Sequence, residues 1–333
     1  MSKTLKYLVP VILFCTLSIL ACKKTTIEPD ALSNEVLSPP PPQLCLGTCN
    51  VSSVPVFSGY FGQALNSSRG ELRNELQAVG LAPFSFTYDA NNNPATSAGY
   101  NPGACYFEYF NSTFSYINGG VSSILVDHTY GNIGCPQYTN LPNIHTGTRI
   151  DFAYSIKVIT VAGLPFYYPV LNVTVYRSDT VAIGQNFNTW APTGRTYYYE
   201  YGLLGLSDNQ LKIKRYKDNP LSVTQEFRYT YDSVGHLTKV GMFEGSTEKT
   251  RITIYGFDTR KNFASGNKVM QLLTSTYGKN NSAAWYTQSF TGSQEMHFYS
   301  STYLYNSHCY PATATVTFDG ETDVQPTMSY TCY

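Results

Sequence analysis

The stretch Tyr229-Thr-Tyr-Asp-Ser-Val-Gly-His-Leu-Thr-Lys-Val240 constrains this chain more than any other. An aromatic strand runs into an Asp/Ser/Gly turn, and a return strand follows in which apolar and polar residues alternate. Looser copies stand at Phe86-Thr-Tyr-Asp89, Ile254-Tyr-Gly-Phe-Asp258, Tyr303-Leu-Tyr-Asn306 and Val316-Thr-Phe-Asp319. From Asp232 to Asp258 is 26 positions, and from Asp258 to Asn306 is 48, with a turn at Gly278-Lys-Asn-Asn281 between them. A hairpin of that length cannot bury its apolar face alone, so successive hairpins must stack or close on one another.

Composition agrees. Charged residues make up 13% of the 333, about half of the roughly 25% usual in soluble domains, and Tyr alone contributes 29. Sheets rich in Tyr and Thr have this make-up. Formal net charge is zero, from 22 basic and 22 acidic residues, and no basic block occurs. Nucleic-acid binding through counterion release therefore has no support.

Strand signals fill the chain from Phe84 onward, separated by turn residues, and no interval has room for a βαβ crossover. In Val223–Tyr231 the side chains Gln225, Phe227, Tyr229 and Tyr231 share one face, with Glu226, Arg228 and Thr230 on the other. Lys268–Tyr277 reads as one more strand. A single helix is expected earlier. Ser68 and Glu71 form a capping box, Leu72, Leu76 and Val79 make a stripe, and Gly80 with Pro83 ends it. The expected fold is all-β: an antiparallel meander of hairpin repeats forming a curved or barrel-like sheet, with one short N-terminal helix.

The N-terminus reads as an export signal. Lys3 and Lys6 precede an apolar stretch from Tyr7 to Leu20 that is too short for a comfortable membrane span. It ends in Leu17-Ser-Ile-Leu-Ala-Cys22, which resembles the lipobox of bacterial lipoproteins. That resemblance implies cleavage before Cys22, its lipidation, and, from Lys23, an address at the outer membrane. Two or three acyl chains anchor stably where one does not. The organisation expected is a signal peptide over 1–21, a Pro-rich tether over 22–55 that contains Pro39-Pro-Pro-Pro42, an N-terminal β region over 56–190, and a hairpin-repeat region over 191–333. A Pro/Gly break at Trp190-Ala-Pro-Thr-Gly194 separates the last two.

With Cys15 lost and Cys22 lipidated, six cysteines remain, an even number suited to disulfides in an oxidising compartment. Opposed residues of an antiparallel pair have a constant index sum. Cys309 with Cys332 sums to 641 and centres on Asp319-Gly-Glu-Thr322, while Cys105 with Cys135 sums to 240 and centres on Gly120. Both centres fall on turns, so Cys105–Cys135 and Cys309–Cys332 are expected, with Cys45–Cys49 left over as a small loop.

Tyr229 to Val240 resembles the YD repeat of bacterial surface and toxin-shell proteins. The lipobox, the Tyr-Asp hairpins from about Arg195 onward, and Tyr303-Leu-Tyr-Asn306 followed by Pro311 to Asp319 resemble Bacteroidetes lipoproteins of unknown function with a porin-like β-domain. The likeness covers about the C-terminal 140 residues. It implies a strongly curved antiparallel sheet and assigns no catalytic residue. A lipid-embedded barrel is disfavoured, because alternate positions back from Tyr333 are Thr331, Ser329, Thr327 and Gln325 rather than an apolar series.

Catalytic signatures are lacking: no His-Glu-x-x-His, Walker loop or Gly-x-Ser-x-Gly occurs. No cofactor or metal is expected. Asp127-His128 cannot act as a dyad on a strand, whose adjacent side chains point to opposite faces. Glu108, Asp151, Glu200, Glu226 and Glu244 are the carboxylates from which a glycosidase pair would have to come, and nothing in the sequence selects two. The ligand-binding candidates are aromatic: Trp190, Trp285, Tyr197 and Tyr199. Cross-strand packing competes for the same residues, and Trp190, in its Pro/Gly break, is the candidate most expected outside the core. The function expected is a non-catalytic, lipid-anchored envelope protein that binds a glycan or a protein. A structural envelope component or a polysaccharide hydrolase is the alternative.

Overall fold

The computed structural model describes residues 49–54, 75–76, 84–102, 106–132, 143–203, 210–262, 264, 267–274, 278–292, 294–324 and 328–332. The expected signal peptide, Cys22, Cys45, Cys105, Cys135 and most of the expected N-terminal helix lie outside them. Among the described residues eighteen strands form one antiparallel sheet. The first seven are β1 (Cys49–Val54), β2 (Phe84–Tyr88), β3 (Pro94–Pro102), β4 (Tyr106–Ile117), β5 (Gly120–Asn132), β6 (Ile144–Val161) and β7 (Leu164–Ser178). Then come β8 (Val181–Ala182), β9 (Trp190–Tyr201), β10 (Leu211–Lys217), β11 (Gln225–Tyr231), β12 (Leu237–Glu244) and β13 (Thr247–Lys261). The helix α1 (Lys268–Thr274) precedes β14 (Asn280–Ser289), β15 (Met296–Tyr305), β16 (Pro311–Phe318), β17 (Glu321–Val324) and β18 (Ser329–Cys332).

Each strand from β1 to β6 pairs with its successor, β9 pairs with β7, and the meander runs on to β17. The last strand, β18, returns to the free side of β1. Met328 N donates to Ala312 O at 2.7 Å, which brings the end of the chain against the start of β16. No ladder joins β17 to β18 among the described residues, and the sheet is not closed into a barrel. Residue 190 sits inside the pairing of β9 with β7, so the expected break at Trp190–Gly194 is strand. Its Pro192 and Gly194 (φ 77°) are accommodated by a bulge opposite Thr174 and Tyr176.

The Tyr-Asp phrase has one structural meaning at three of its sites. Asp89, Asp232 and Asn306 each donate their N–H to the carbonyl four residues on and accept, at their own carbonyl, the N–H three residues on. The side-chain Oδ1 accepts a second set: from Asn91 and Asn93 at 2.8 and 2.9 Å, from Val234, Gly235 and His236 at 2.8–2.9 Å, and from His308 and Tyr310 at 3.0 Å. The third loop residue is left-handed in every case: Asn92 (φ 63°), Gly235 (97°) and Cys309 (66°). A bulge follows, with Tyr88 opposite Pro94, Tyr231 opposite Leu237 and Tyr305 opposite Pro311. The other two copies diverge. Asp319-Gly320 is a two-residue turn with both φ positive, and Asp258 lies within β13, where it accepts from Asn281 of β14 at 2.9 Å.

The inner face carries the core. Phe227, Tyr229, Val240, Ile252 and Trp285 are all buried, while Arg228 and Thr230 on the opposite face are exposed. This alternation is the one the sequence predicts for Val223–Tyr231. Lys268–Tyr277 is a correction: its first seven residues are the helix α1. Asn267 Oδ1 caps it by accepting from Val269 and Met270 N at 3.1 and 3.0 Å, and Met270, Leu272 and Leu273 are buried. Of the expected N-terminal helix only Glu75–Leu76 is described, as a 3₁₀ turn, and Leu76 is 1% exposed.

Two expected disulfides are overturned. Cys332 faces Cys49 across β1–β18 and is bonded to it, so neither Cys309–Cys332 nor Cys45–Cys49 forms. Cys309 is itself in a disulfide, at the left-handed position of its turn. The hairpin at Asp319–Thr322 forms, but its register excludes the expected pair. Thr315 opposes Val324 and Phe318 opposes Glu321, so the sum is 639 rather than 641, and β18 leaves that register to join β1. Residues 49–54, expected at the end of the tether, are that partner strand. In the other hairpin Tyr106 opposes Asn132, a sum of 238 where Cys105–Cys135 rests on 240, and both cysteines lie outside the described residues.

Both the turn lock and the disulfide can be measured. Asp232→Ala removes three backbone contacts and the His236 ring contact at 2.8 Å, and should cost about 2 kcal/mol in urea unfolding. Burial nudges the Asp232 carboxyl up, but the bonds from His236 and Val234 hold it below its ordinary value. The gap between wild type and variant should therefore be full above about pH 4 and close as pH falls through the lowered value. Cys49→Ser opens a loop with a sequence separation of 283 and should lower stability by about 5 kcal/mol, with a Cys49–Cys332 peptide in the non-reduced map of the wild type.

Candidate binding face around Trp190

Three strands and one loop build a site that keeps a sequence-predicted aromatic residue partly accessible. On the outer face, β5 contributes Asp127, β6 contributes His145, Gly147, Arg149 and Asp151, and β7 contributes Tyr176. After β7 the chain turns back. Asp179 Oδ1 accepts from Asn188 N at 3.0 Å and Thr189 N at 3.3 Å, and β8 pairs with the start of β6. Burial pulls the Asp179 carboxyl up, but the hydrogen bonds from Thr189 and Asn188 together outweigh it and hold the carboxyl below its ordinary value. The loop so fixed lays Phe187 and Trp190 over Gly147.

Gly147 is required there. A Cβ at this position would lie 2.7 Å from Trp190 Cη2 and 2.8 Å from Phe187 Cε2. Phe187 meets Trp190 edge-on at 5.4 Å and leans on the His145 ring at 4.5 Å. The Arg149 guanidinium lies 4.5 Å from the Tyr176 ring centroid and 5.5 Å from that of Trp190, a cation–π sandwich. Polar groups ring the aromatics: Arg149 reaches Asp151 at 3.3 Å and His145 approaches Asp127 at 3.7 Å. The Asp127, Arg149 and Asp151 side chains keep 45%, 38% and 41% of their surface exposed. A fixed indole beside two accessible carboxylates and a guanidinium can take the flat C–H face of a sugar ring and its hydroxyls.

The other three aromatic candidates are core. Trp285 is fully buried and stacks on Tyr299 at 5.4 Å with ring planes 3° apart. Tyr199 is fully buried, and Tyr197 is 2% exposed. They sit on inward strand positions, where alternation fills the sheet interior. Tyr197 Oη instead donates at 2.7 Å to Glu75, whose Oε1 also takes Arg195 Nη1 at 2.8 Å. Burial first, and then Glu75, push the Tyr197 hydroxyl far above its ordinary pKa. This brace fastens the 75–76 turn to β9 over 120 residues of sequence, which no local pattern could reveal.

The carboxylates singled out for hydrolysis are each engaged. Glu108 approaches His128 at 3.4 Å, Asp151 pairs with Arg149, Glu200 with Lys157 at 2.8 Å, and Glu244 with Lys249 at 3.7 Å. Glu226 lies between Arg215 and Arg228 at 2.6 and 2.7 Å; burial pulls its carboxyl up, but the two guanidinium groups outweigh it and hold it low. Asp127 and His128 do point to opposite faces, and each has found a cross-strand partner of the other kind. Burial keeps the His128 ring below its ordinary pKa despite Glu108. The sulfurs of Cys49 and Cys332 lie near His308 within 4.8 Å, a metal-like grouping, but the two sulfurs are bonded to each other.

No protein-family model matches the chain, and none of the curated proteins matches it in sequence. Among solved structures, the chain is similar to a porin-like protein from Bacteroides uniformis ATCC 8492. The identity is 9% and the TM-score 0.32, over 72% of this chain and 95% of that one. A likeness at that level says nothing about activity.

Gly147→Val tests the floor of the site. It should displace Trp190 and shift its fluorescence to the red while buried Trp285 holds a constant background, with urea stability changed by about 1 kcal/mol or less.

Proposed function

We propose that this chain is a lipid-anchored envelope protein whose sheet serves as a non-catalytic binding module, and that it takes a glycan on the Trp190 face. The single observation that carries this reading is the fixed, part-exposed indole on Gly147 with Arg149, Asp127 and Asp151 beside it. Stacking of a sugar on an indole needs a ring held in place, and hydroxyl recognition needs planar, bidentate partners at its rim. The anchor rests on Leu17–Cys22, and the outer membrane on Lys23. Hydrolysis is the weaker reading, because a general acid needs a raised carboxyl pKa. Among the described residues every carboxyl that departs from its ordinary value moves down.

The fragment from Thr25 to Tyr333 contains the whole sheet and the Cys49–Cys332 bond, and is the material for the test. Against a polysaccharide panel, with retention and released product read in the same wells, binding without product is expected. Trp190→Ala should weaken that binding at least tenfold with the far-ultraviolet spectrum unchanged. Product release would overturn the reading in favour of a hydrolase. Retention that survives Trp190→Ala would move the site elsewhere.

A further inference from the structure

The two longest neighbouring strands leave the sheet. β6 pairs with β5 only up to Asp151, and β7 pairs with β9 only from Val170. From Phe152 to Pro169 the two strands pair with each other alone, ending at Ala162-Gly163, both left-handed. The arm is apolar on both faces. On one face Ile156 and Val158 oppose Pro169 and Tyr167; on the other Ile159 and Val161 oppose Phe166 and Leu164. Val158, Val161 and Leu164 are 54%, 56% and 64% exposed.

Charge is missing from the same stretch. No charged residue stands between Lys157 and Arg177, and Lys157, midway along the arm opposite Tyr168, is tied to Glu200 at 2.8 Å. A hairpin that docks on a protein surface buries one face and keeps the other polar. This one has no polar face to leave in water.

Direction supplies a third observation. Successive strands are antiparallel, so the even-numbered strands β2, β4 and β6 end where β1 begins. The arm therefore projects from the end of the sheet at which the chain enters through Cys49, 27 positions after Cys22.

We propose that the tip of the β6–β7 hairpin inserts into the interfacial layer of a lipid bilayer. Val158 to Val161 spans about 10 Å at about 3.4 Å per residue, the depth to which interfacial elements sink. Tyr167 and Tyr168 follow at the level of the headgroups, where aromatic residues with a polar tip are favoured. The unpaired backbone edges of a two-stranded arm forbid deeper burial, because hydrocarbon offers them no hydrogen-bond partner. This contact is separate from the glycan reading and needs no acyl chain.

The fragment from Thr25 to Tyr333, which lacks Cys22, is floated with phosphatidylethanolamine–phosphatidylglycerol vesicles. Co-flotation is expected, unchanged on raising the salt because the tip is uncharged. Val161→Asp with Leu164→Asp should cut the bound fraction at least tenfold, and the circular dichroism should stay the same, since these side chains face solvent. As a second measurement, Leu164→Trp should add an indole emission that is quenched by lipids brominated on the acyl chain. Absence of flotation, flotation that survives the double substitution, or an introduced indole that stays unquenched would overturn the proposal. A dimer seen by light scattering and dissolved by the same double substitution would overturn it in favour of a second copy.

Discussion

The side chain that closes each Asx turn fixes far more than the turn. In Asp89, Asp232 and Asn306 one carboxyl or amide oxygen gathers two or three backbone N–H groups, selects a left-handed third residue and forces the bulge behind it. The bulge sets the register of the next strand. A slip of one residue would exchange the two faces, turning Arg228 inward and Phe227 out. A sheet this long, whose interior is filled by aromatic rings, depends on such local locks, since packing alone tolerates many registers of Tyr-rich strands. The tyrosine before the turn adds a tie across the sheet: Tyr88 donates to Val51 O at 2.5 Å, and Tyr305 donates to Asp258.

Locks within hairpins do not join the two ends of a meander. That falls to β1 and β18, which share a four-residue ladder and the Cys49–Cys332 bond. Chain entropy makes this contact the most expensive in the molecule to form, because it spans nearly the whole folded sequence. A covalent bond at this site constrains the unfolded chain more than one within a hairpin would. Cys332 is not bonded to Cys309 because β18 leaves the β16–β17 register to join β1, and Cys309 is in a disulfide of its own.

Periodicity in the sequence was enough for the sheet, the hairpin repeat and the inward side of β11, because each depends on neighbours a few positions apart. The separation of Asp127 from His128 was legible for the same reason. The errors arise where distant chain decides. Cys49 reads as tether until β18 is placed beside it. Lys268–Thr274 alternates well enough for a strand, and the cap at Asn267 signals the helix only once Asn is read as a boundary. Tyr197, Tyr199 and Trp285 carry the same chemistry as Trp190, and only their inward position assigns them to the core. Of the candidate face, the sequence marked Trp190; Gly147, Phe187 and Arg149 become its partners only through a loop that folds back over β6.

The outer face also limits how much of this sheet can meet lipid. Along β9 to β13 it carries a lattice of charge and aromatic rings: Arg215 pairs with Glu226 and lies 4.9 Å from the Tyr198 ring, Arg228 lies 3.9 Å from Phe243, and Arg251 lies 4.8 Å from Phe290. A barrel wall in hydrocarbon is apolar at these positions, and each buried guanidinium there would cost about 2–4 kcal/mol. The apolar arm and the polar wall are therefore two solutions to one problem. The strands of that lattice are paired on both sides and carry charge on their outer face, whereas the β6–β7 tip, exposed at Val158, Val161 and Leu164, carries none.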